Sequence, residues 1–382
     1  MKQVPVILFG AGGVGRALLK MIMQTRNLVA ERNQTQFDIV GVADSKNWLL
    51  EPVGMSDERL AEILAAKTKR EPLPQGKAGE VAAAKRRQAI AEELARKSRP
   101  APEAMVAQAY EAGVRGAILV DVTAVDGMEP ALDKALELGY SVALANKKAL
   151  AGPWETAKTY YNHPRVRHES TVGGGQPVIA TMRYLMDIGD DVLAVEGQLS
   201  GTLGYLCQRM DEGVSFSMAL AEAKMKGFTE PDPREDLSGQ DVMRKVLILA
   251  RMAGWPLEAQ DIEVESLYHA SLAHLPVPEF MQAAVAMDPT LQGRVNTAGA
   301  SGEVLRYVAK VDQNGGTVGL TAVPMESPLA NLKYISYRTR LYDDEPMLIC
   351  GKGAGVEMTA GGGLGGMIGL ARGGWWMGDC EL

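Results

Sequence analysis

The chain has 382 residues, more than one ordinary core accommodates, and at roughly 100–200 residues per domain two domains are expected. An apolar fraction of 46% with 23% charged residues excludes wholesale disorder. Forty Lys and Arg against 47 Asp and Glu give a net charge of -7, which argues against the concentrated positive surface that nucleic-acid binding needs. No run of roughly 18 apolar residues is present, so no membrane span is expected. Met1-Lys2-Gln3-Val4 leads straight into an apolar strand without the features of a signal peptide. Cys207, Cys350 and Cys380 are scattered and form no C-x-x-C pair, so neither a disulfide framework nor a zinc knuckle is indicated. His163, His168, His269 and His274 form no metal-binding spacing and are expected at the surface or as caps. A reducing, cytoplasmic setting is the expectation.

The first 45 residues form one unit. Val4 to Phe9 is a continuous apolar run, as in a strand covered on both faces. It meets Gly10-Ala11-Gly12-Gly13-Val14-Gly15, followed by a buried helix from Arg16 to Gln24 and a second strand from Phe37 to Ala43 that ends at Asp44. Strand, glycine turn, helix and strand make a βαβ unit and imply a parallel sheet. Residues 51–112 differ: they are rich in Ala, Glu, Lys and Arg, punctuated by prolines, and predict exposed helices in a charged elaboration. Lys85-Arg86-Arg87 there reads as a solvated face. The sheet resumes at Ala117 to Val122 and, after a helix near 129–138, at Ser141 to Ala145. Strands at 192–199, 304–311 and 317–323 then mix with helices at 177–186, 216–226 and 238–253, an α+β pattern. Glycine is concentrated in 351–382; each costs a helix about 1 kcal/mol relative to Ala, so a helix there must be held by packing. The pattern predicts an α/β fold, with a parallel-sheet domain over 1–150, an α+β domain over 151–340 and a terminal segment over 341–382.

Three regions carry chemistry. In G-x-G-x-x-G, Gly10 permits the tight turn, Gly12 lets the backbone approach a pyrophosphate and Gly15 lets helix and strand pack closely. The helix N-terminus offers its unpaired N–H groups to phosphates. Asp44 stands where a carboxylate would bond a ribose hydroxyl and favour NAD, but Ser45 and Lys46 beside it suit a 2′-phosphate, and the balance leans slightly to NADP. A turn-capping Asp44 is the plainer reading. Thr123 and Lys147 end successive strands, on the rim where open α/β sheets bind ligands; a helix cap for Thr123 and a surface site for Lys147 fit equally well. On the helix beginning near Ser238, its expected N-cap, Asp241, Lys245, Ile248 and Met252 share one stripe, while Gln240, Arg244 and Arg251 mark a polar face. An exposed i,i+4 salt bridge is the simple account of Asp241 and Lys245. The stripe favours a partly desolvated lysine, with the lowered pKa that suits proton transfer. Glu169 next to the glycines of 173–175 presents oxygen donors for a hard cation, or else makes a tight loop into a helix.

Taken together, Gly10 to Gly15, Ala145-Asn146-Lys147-Lys148, Glu169 to Gly173, Ser200-Gly201-Thr202-Leu203-Gly204-Tyr205, Gly227 to Arg234 and Asp241 to Lys245 resemble the homoserine dehydrogenase family. The resemblance covers residues 4 to about 360 apart from 51–112, and is most specific over Glu230–Lys245. It is to the monofunctional, plant-type form, with the expectation that no aspartate kinase or regulatory domain precedes or follows. It implies reversible NADP(H)- or NAD(H)-dependent interconversion of L-homoserine and L-aspartate 4-semialdehyde, a Rossmann nucleotide-binding domain over 1–150, a substrate-binding and dimerising domain over 151–340, and a terminal segment that returns to the nucleotide domain. Lys245 then matches the general acid/base. Asp241, Glu230, Gly227 and Thr202 match the substrate's partners, and Lys147 a lysine at the nicotinamide and reacting oxygen. Gly10, Ala11, Gly12, Gly13, Val14, Gly15, Arg16, Asp44, Thr123, Gly353 and Gly355 match the cofactor side. Glu169 with the carbonyls of Val172, Gly174 and Gln176 matches a sodium site. The chain departs from the family in having Gly174 and Gln176 where Ala and Leu are usual, and a glycine run after Thr359-Ala360 that ends in Trp375-Trp376.

Two other readings stand beside this one. The first is a Rossmann dehydrogenase for another amino acid. The second is a non-catalytic NADP-binding regulator, which the presence of both Lys245 and Asp241 disfavours.

Overall fold

The computed structural model describes residues 1–74 and 99–373; Lys85-Arg86-Arg87 and Trp375-Trp376 lie outside them. The chain divides into two compact units, one of Met1–Gly175 with the segment from Gly355 onward, the other of Gln176–Ala354. These changeovers come later than the sequence boundaries at 150 and 340, because another strand joins the first sheet after residue 150 and a last hairpin strand joins the second sheet after residue 340.

The first unit is built on a six-stranded sheet. Its strands are β1 (Lys2–Phe9), β2 (Thr35–Ala43), β3 (Trp48–Leu50), β4 (Ile118–Asp121), β5 (Ser141–Leu144) and β6 (Val166–Arg167), in the order β3-β2-β1-β4-β5-β6. All neighbours are parallel except β3, which folds back on β2 as an antiparallel edge. That short edge strand was not expected from the sequence; with only three residues it carries no periodicity to read. The helices are α1 (Gly13–Asn33), α2 (Asp57–Thr68), α3 (Pro102–Glu111), α4 (Glu129–Glu137), α5 (Lys148–Ala151) and α6 (Trp154–Tyr161). Val4, Val6 and Leu8 of β1 pack with Leu18, Leu19 and Ile22 of α1 in one core. The strand order reverses between β1 and β4, the position at which a doubly wound sheet opens a crevice beyond its strand ends.

The second unit is α+β. Its helices and strands run α7 (Val178–Asp187), β7 (Val192–Gly197), α8 (Gly201–Asp211), α9 (Phe216–Met225), α10 (Pro233–Leu237), α11 (Gln240–Met252), β8 (Ile262–Val264), α12 (Val277–Ala283), α13 (Asp288–Ala300), β9 (Glu303–Asp312), β10 (Gly315–Pro324), α14 (Pro328–Asn331), β11 (Tyr334–Thr339) and β12 (Met347–Cys350). The strands form a mixed sheet in the order β12-β11-β7-β9-β10-β8, with β8 parallel to β10 and the other pairs antiparallel. Helices α8, α11 and α13 pack against β9.

The last helix, α15 (Val356–Arg372), belongs to the first unit. Ala360, Leu364, Met367 and Leu370 enter the core shared with α1 and β1. Its glycines have a reason on the opposite side: a Cβ on Gly362 would overlap the Gly174 carbonyl oxygen and crowd Ser170 Oγ, and Ser170 Oγ donates to the Thr359 carbonyl at 2.7 Å. Close backbone approach and apolar burial thus offset the propensity cost that the glycine run imposes.

Three local expectations are corrected. His168 is fully buried, its ring edge-on to Tyr161, rather than at the surface. Ser238 closes α10, and the N-cap of α11 is Gly239 at φ 70°; a Cβ there would overlap Tyr307 Oη, which excludes serine from the cap. Arg251, placed on the polar face by helical spacing, is buried. Its Nε donates to the Leu257 carbonyl at 2.9 Å and its guanidinium pairs with Glu258 at 2.8 Å, so its charge is met inside the fold.

Candidate active site

The sequence-predicted residues fall into two sets, one in each unit. In the first unit the glycine turn has the geometry its spacing requires. Gly10 adopts φ 104°, and its N–H donates to the Ala43 carbonyl at 2.9 Å. A Cβ on Gly15 would overlap the Gly10 carbonyl. Ala11 is buried in the core, while a Cβ on Gly12 would meet nothing within 4 Å. Gly12 caps α1 without a side-chain hydrogen bond, and the first turn holds no acid. Open space thus faces a helix start whose N–H groups have no capping side chain, the arrangement that receives phosphates. Gly355, at φ 126°, begins α15, and Val356 Cγ2 lies 3.5 Å from where Gly13 would carry a Cβ. Gly355 therefore stands near the turn, whereas Gly353 belongs to the other unit.

Asp44 is engaged. Its Oδ1 accepts the amides of Lys46 at 2.8 Å and Asn47 at 2.7 Å, the turn-capping role that the sequence allowed. Its Oδ2 pairs with Lys67 Nζ at 2.8 Å. Burial alone would push the carboxyl up; the hydrogen bonds from Lys67, Lys46 and Asn47 outweigh it and hold Asp44 below its ordinary 3.8. Arg16 reaches the same place, its guanidinium donating to the Lys67 carbonyl at 3.3 Å and to Thr68 Oγ1 at 3.5 Å. Lys67 comes from the charge-rich region that composition marked as a surface elaboration, and nothing in its local sequence pointed to Asp44.

Thr123 and Lys147 stand past the ends of β4 and β5, with Asn146 Nδ2 donating to Thr123 Oγ1 at 3.1 Å. Glu169 lies in a single 3₁₀ turn with Val172 and Gly174 following; Gln176 falls in the second unit. Among the described residues no group of three or more His, Cys, Asp or Glu side chains could hold a metal ion. A carboxylate with backbone carbonyls is instead the donor chemistry of a hard cation.

In the second unit the stretch around residue 230 is assembled from three helices, α8, α9 and α10. Helix α9 ends in a Schellman turn: Gly227, at φ 69°, donates to the Lys224 carbonyl at 3.1 Å, and Phe228 to the Ala223 carbonyl at 2.8 Å. The chain passes Glu230 and enters α10 at Pro233. Thr202, in the first turn of α8, has one hydroxyl hydrogen and two acceptors, the Phe228 carbonyl at 2.6 Å and Asp236 Oδ1 at 2.9 Å. The Glu230 amide donates to Asp236 Oδ2 at 2.8 Å. Burial pushes the Asp236 carboxyl up, more than its hydrogen bonds with the Glu230 amide and Thr202 pull it down; Asp241 acts with the burial and Lys245 against it. Asp236 lay inside the stretch singled out by sequence, and only the folded turn shows that it joins Thr202 to Glu230.

Lys245 and Asp241 sit one turn apart on α11, with Nζ 2.7 Å from Asp241 Oδ2. The ammonium also donates to the Leu199 carbonyl at 2.9 Å. Farther along the same stripe, Ile248 and Met252 are buried, so the helix turns from a polar start to an apolar end. The lysine is mostly enclosed and the aspartate half open. A mostly enclosed amine thus stands beside a half-exposed carboxylate at the polar start of the helix.

A family model described as homoserine dehydrogenase matches residues 177–368. The bifunctional aspartokinase/homoserine dehydrogenase of Haemophilus influenzae is 32% identical over 375 residues, which cover 94% of this chain and 42% of that protein. A homoserine dehydrogenase of Paracoccidioides brasiliensis is 40% identical over 267 residues, covering 64% of this chain and 72% of that protein. A hyperthermophilic archaeal homoserine dehydrogenase, solved in complex with NADPH, shares the fold at a TM-score of 0.68 and 23% identity, covering 96% of this chain and 97% of that one. The chain thus spans about two fifths of the bifunctional relative it matches and most of the fungal one.

Proposed function

The chain belongs to the homoserine dehydrogenase family, and from that premise we propose that it interconverts L-homoserine and L-aspartate 4-semialdehyde with a nicotinamide dinucleotide. One observation carries the proposal: the enclosed Lys245, paired to a half-open Asp241, with both acting on Asp236, whose carboxylate binds the Glu230 amide. Lys245 takes the hydroxyl proton as homoserine is oxidised and returns it to the aldehyde oxygen in reduction. Asp241 and Glu230 receive the substrate's ammonium group, and Gly227 and Thr202 shape the turn around it. The resemblance gives Lys147, on the rim of the first sheet, the role of a lysine at the nicotinamide and reacting oxygen. Bound at the glycine turn, the dinucleotide supplies or accepts the hydride. Gly10 to Arg16 would hold its phosphates, and Thr123, Gly353 and Gly355 are the other residues that the resemblance assigns to it.

For the cofactor we favour NADP(H). Lys67 neutralises Asp44, and Arg16 and Lys46 add positive charge, a setting that accepts a 2′-phosphate better than a bare carboxylate does. NADPH is also what the archaeal neighbour holds. Glu169 with the carbonyls of Val172, Gly174 and Gln176 is the proposed sodium site, and the second unit the proposed homodimer contact. Among the described residues no helix is long and apolar enough to cross a membrane.

The test is a substrate panel in the oxidative direction. With NADP⁺, L-homoserine should be turned over far faster than L-serine, L-threonine or 2-hydroxy acids. A preference for another amino acid would support the alternative dehydrogenase, and nucleotide binding with no turnover of any member would support the regulator.

A further inference from the structure

Asp121 is the last residue of β4 and is 1% exposed. A buried carboxyl is costly unless its oxygens are met. Here burial pushes it up, and hydrogen bonds with Thr123 and Asn146 act against that push. Oδ1 accepts the Thr123 amide at 2.9 Å, and Oδ2 accepts Asn146 Nδ2 at 3.1 Å. Its backbone carbonyl accepts the amides of Ala145 at 2.9 Å and Asn146 at 3.2 Å.

Asn146, 3% exposed, completes the arrangement. Its Nδ2 also reaches Thr123 Oγ1 at 3.1 Å and the Val125 carbonyl at 2.9 Å, and its Oδ1 accepts the Lys148 amide at 3.1 Å. Residue 146 is tied to β4 by backbone and side chain together, and residue 148 is tied to residue 146. Lys147 stands between these two anchors, and Thr123 is held at its amide and its hydroxyl. Lys147 has the proposed role at the reacting oxygen and Thr123 the proposed contact with the dinucleotide, and one buried pair anchors the backbone around both.

We propose that Asp121 and Asn146 are positioning residues. They fix Thr123 and Lys147 at the carboxyl rim of the first sheet and act on the reaction through those two side chains, without touching the substrate. The inference rests on the function proposed above for what Thr123 and Lys147 do. A purely architectural pair would lower stability and leave the kinetic effects of Lys147 independent of it.

The experiment is a double-mutant cycle of Asn146→Ala and Lys147→Ala in the full chain, with Asn146→Asp as a second variant should the alanine fail to fold. Amide exchange in the nucleotide-free protein, NADPH affinity by fluorescence titration, kcat and KM are read for each. We expect the Lys148 amide to exchange at least about tenfold faster in Asn146→Ala. We expect kcat to fall roughly 10–100-fold, the cost of leaving charged or buried partners unmet, and NADPH binding to weaken. In the Lys147→Ala background the same substitution should lower kcat by less than about threefold, because groups acting as a unit are not additive, while the part carried by Thr123 persists as weaker NADPH binding. Independent, multiplicative losses in kcat, or an unchanged Lys148 amide, would overturn the proposal. A wild-type protein with no dehydrogenase activity would defeat the function reading alone; exchange and NADPH affinity would still decide whether the pair positions the rim.

Discussion

Two lysine–aspartate pairs, one in each unit, use the same residues to opposite ends. Asp44 and Lys67 meet at 2.8 Å with side chains 8% and 17% exposed; Asp241 and Lys245 meet at 2.7 Å with the aspartate 45% and the lysine 19% exposed. In the first pair the carboxylate is the enclosed partner, held by two turn amides and a lysine from another helix. In the second the lysine is enclosed, held by a helical neighbour and a backbone carbonyl, and the carboxylate faces outward. Distance does not separate them. Enclosure does: it decides which member of each pair is held inside the fold and which stays partly exposed. Asp44 has given its oxygens to the protein, so the region presents positive charge. Asp241 stays half exposed beside Lys245, which suits its proposed contact with a substrate ammonium.

The largest effect should come from breaking the second pair at its enclosed member. Lys245→Ala should lower kcat about 10²–10⁴-fold, the range expected for losing a general acid/base. NADPH affinity should change little, since Lys245 is not among the residues proposed to hold the phosphates. Steady-state kinetics with a fluorescence titration of NADPH would check both halves. Turnover within a few-fold of wild type would move the assignment to Lys147.

Asp241→Asn should act at the open member and through binding. A charge-assisted contact to the substrate's ammonium group is replaced by a neutral one, so KM for homoserine should rise roughly 10–100-fold with a smaller change in kcat. An equal fall in kcat and kcat/KM, with KM constant, would place Asp241 in the proton transfer instead.

The first pair should produce the smallest changes, and in ratio. Asp44→Ala should raise the NADP(H) over NAD(H) ratio of kcat/KM several-fold, and Lys67→Ala should lower it. If neither ratio moved, the pair would not face the ribose. The pair also has a pH signature. A carboxyl held below its ordinary value contributes stability above the unfolded-state pKa and loses it as pH falls through the folded one. Melting temperatures of wild type and Asp44→Asn should therefore converge below about pH 4 and separate above it.

How far the sequence reached follows from what fixes each feature. The glycine turn was legible because backbone geometry dictates it: a side chain at Gly15 would overlap the Gly10 carbonyl, so the residue type itself is the signal. The stripe from Asp241 to Met252 was legible because helical spacing alone places those residues together. Asp236, Lys67 and Asn146 were not. Each acts on a residue supplied by another element, as Lys67 does across to Asp44, and no local pattern encodes such a meeting. Arg251 misled for a related reason. Its helical position looked polar, but Glu258 and the Leu257 carbonyl, from beyond the helix, let the core take in its charge. The glycine-rich last helix lies between these cases: weak by propensity, as composition states, and held by a close approach to Gly174 that only the fold reveals.

The central claim is that this chain reduces L-aspartate 4-semialdehyde with Lys245 as proton donor. The most direct measurement follows NADPH absorbance as the semialdehyde is added to wild type and to Lys245→Ala at matched, saturating nucleotide, with the product identified by chromatography. The account predicts semialdehyde-dependent oxidation of NADPH by wild type with L-homoserine as the product, and a rate lower by about 10²-fold or more in the variant. NADPH that binds to wild type and is not consumed when the semialdehyde arrives would contradict it.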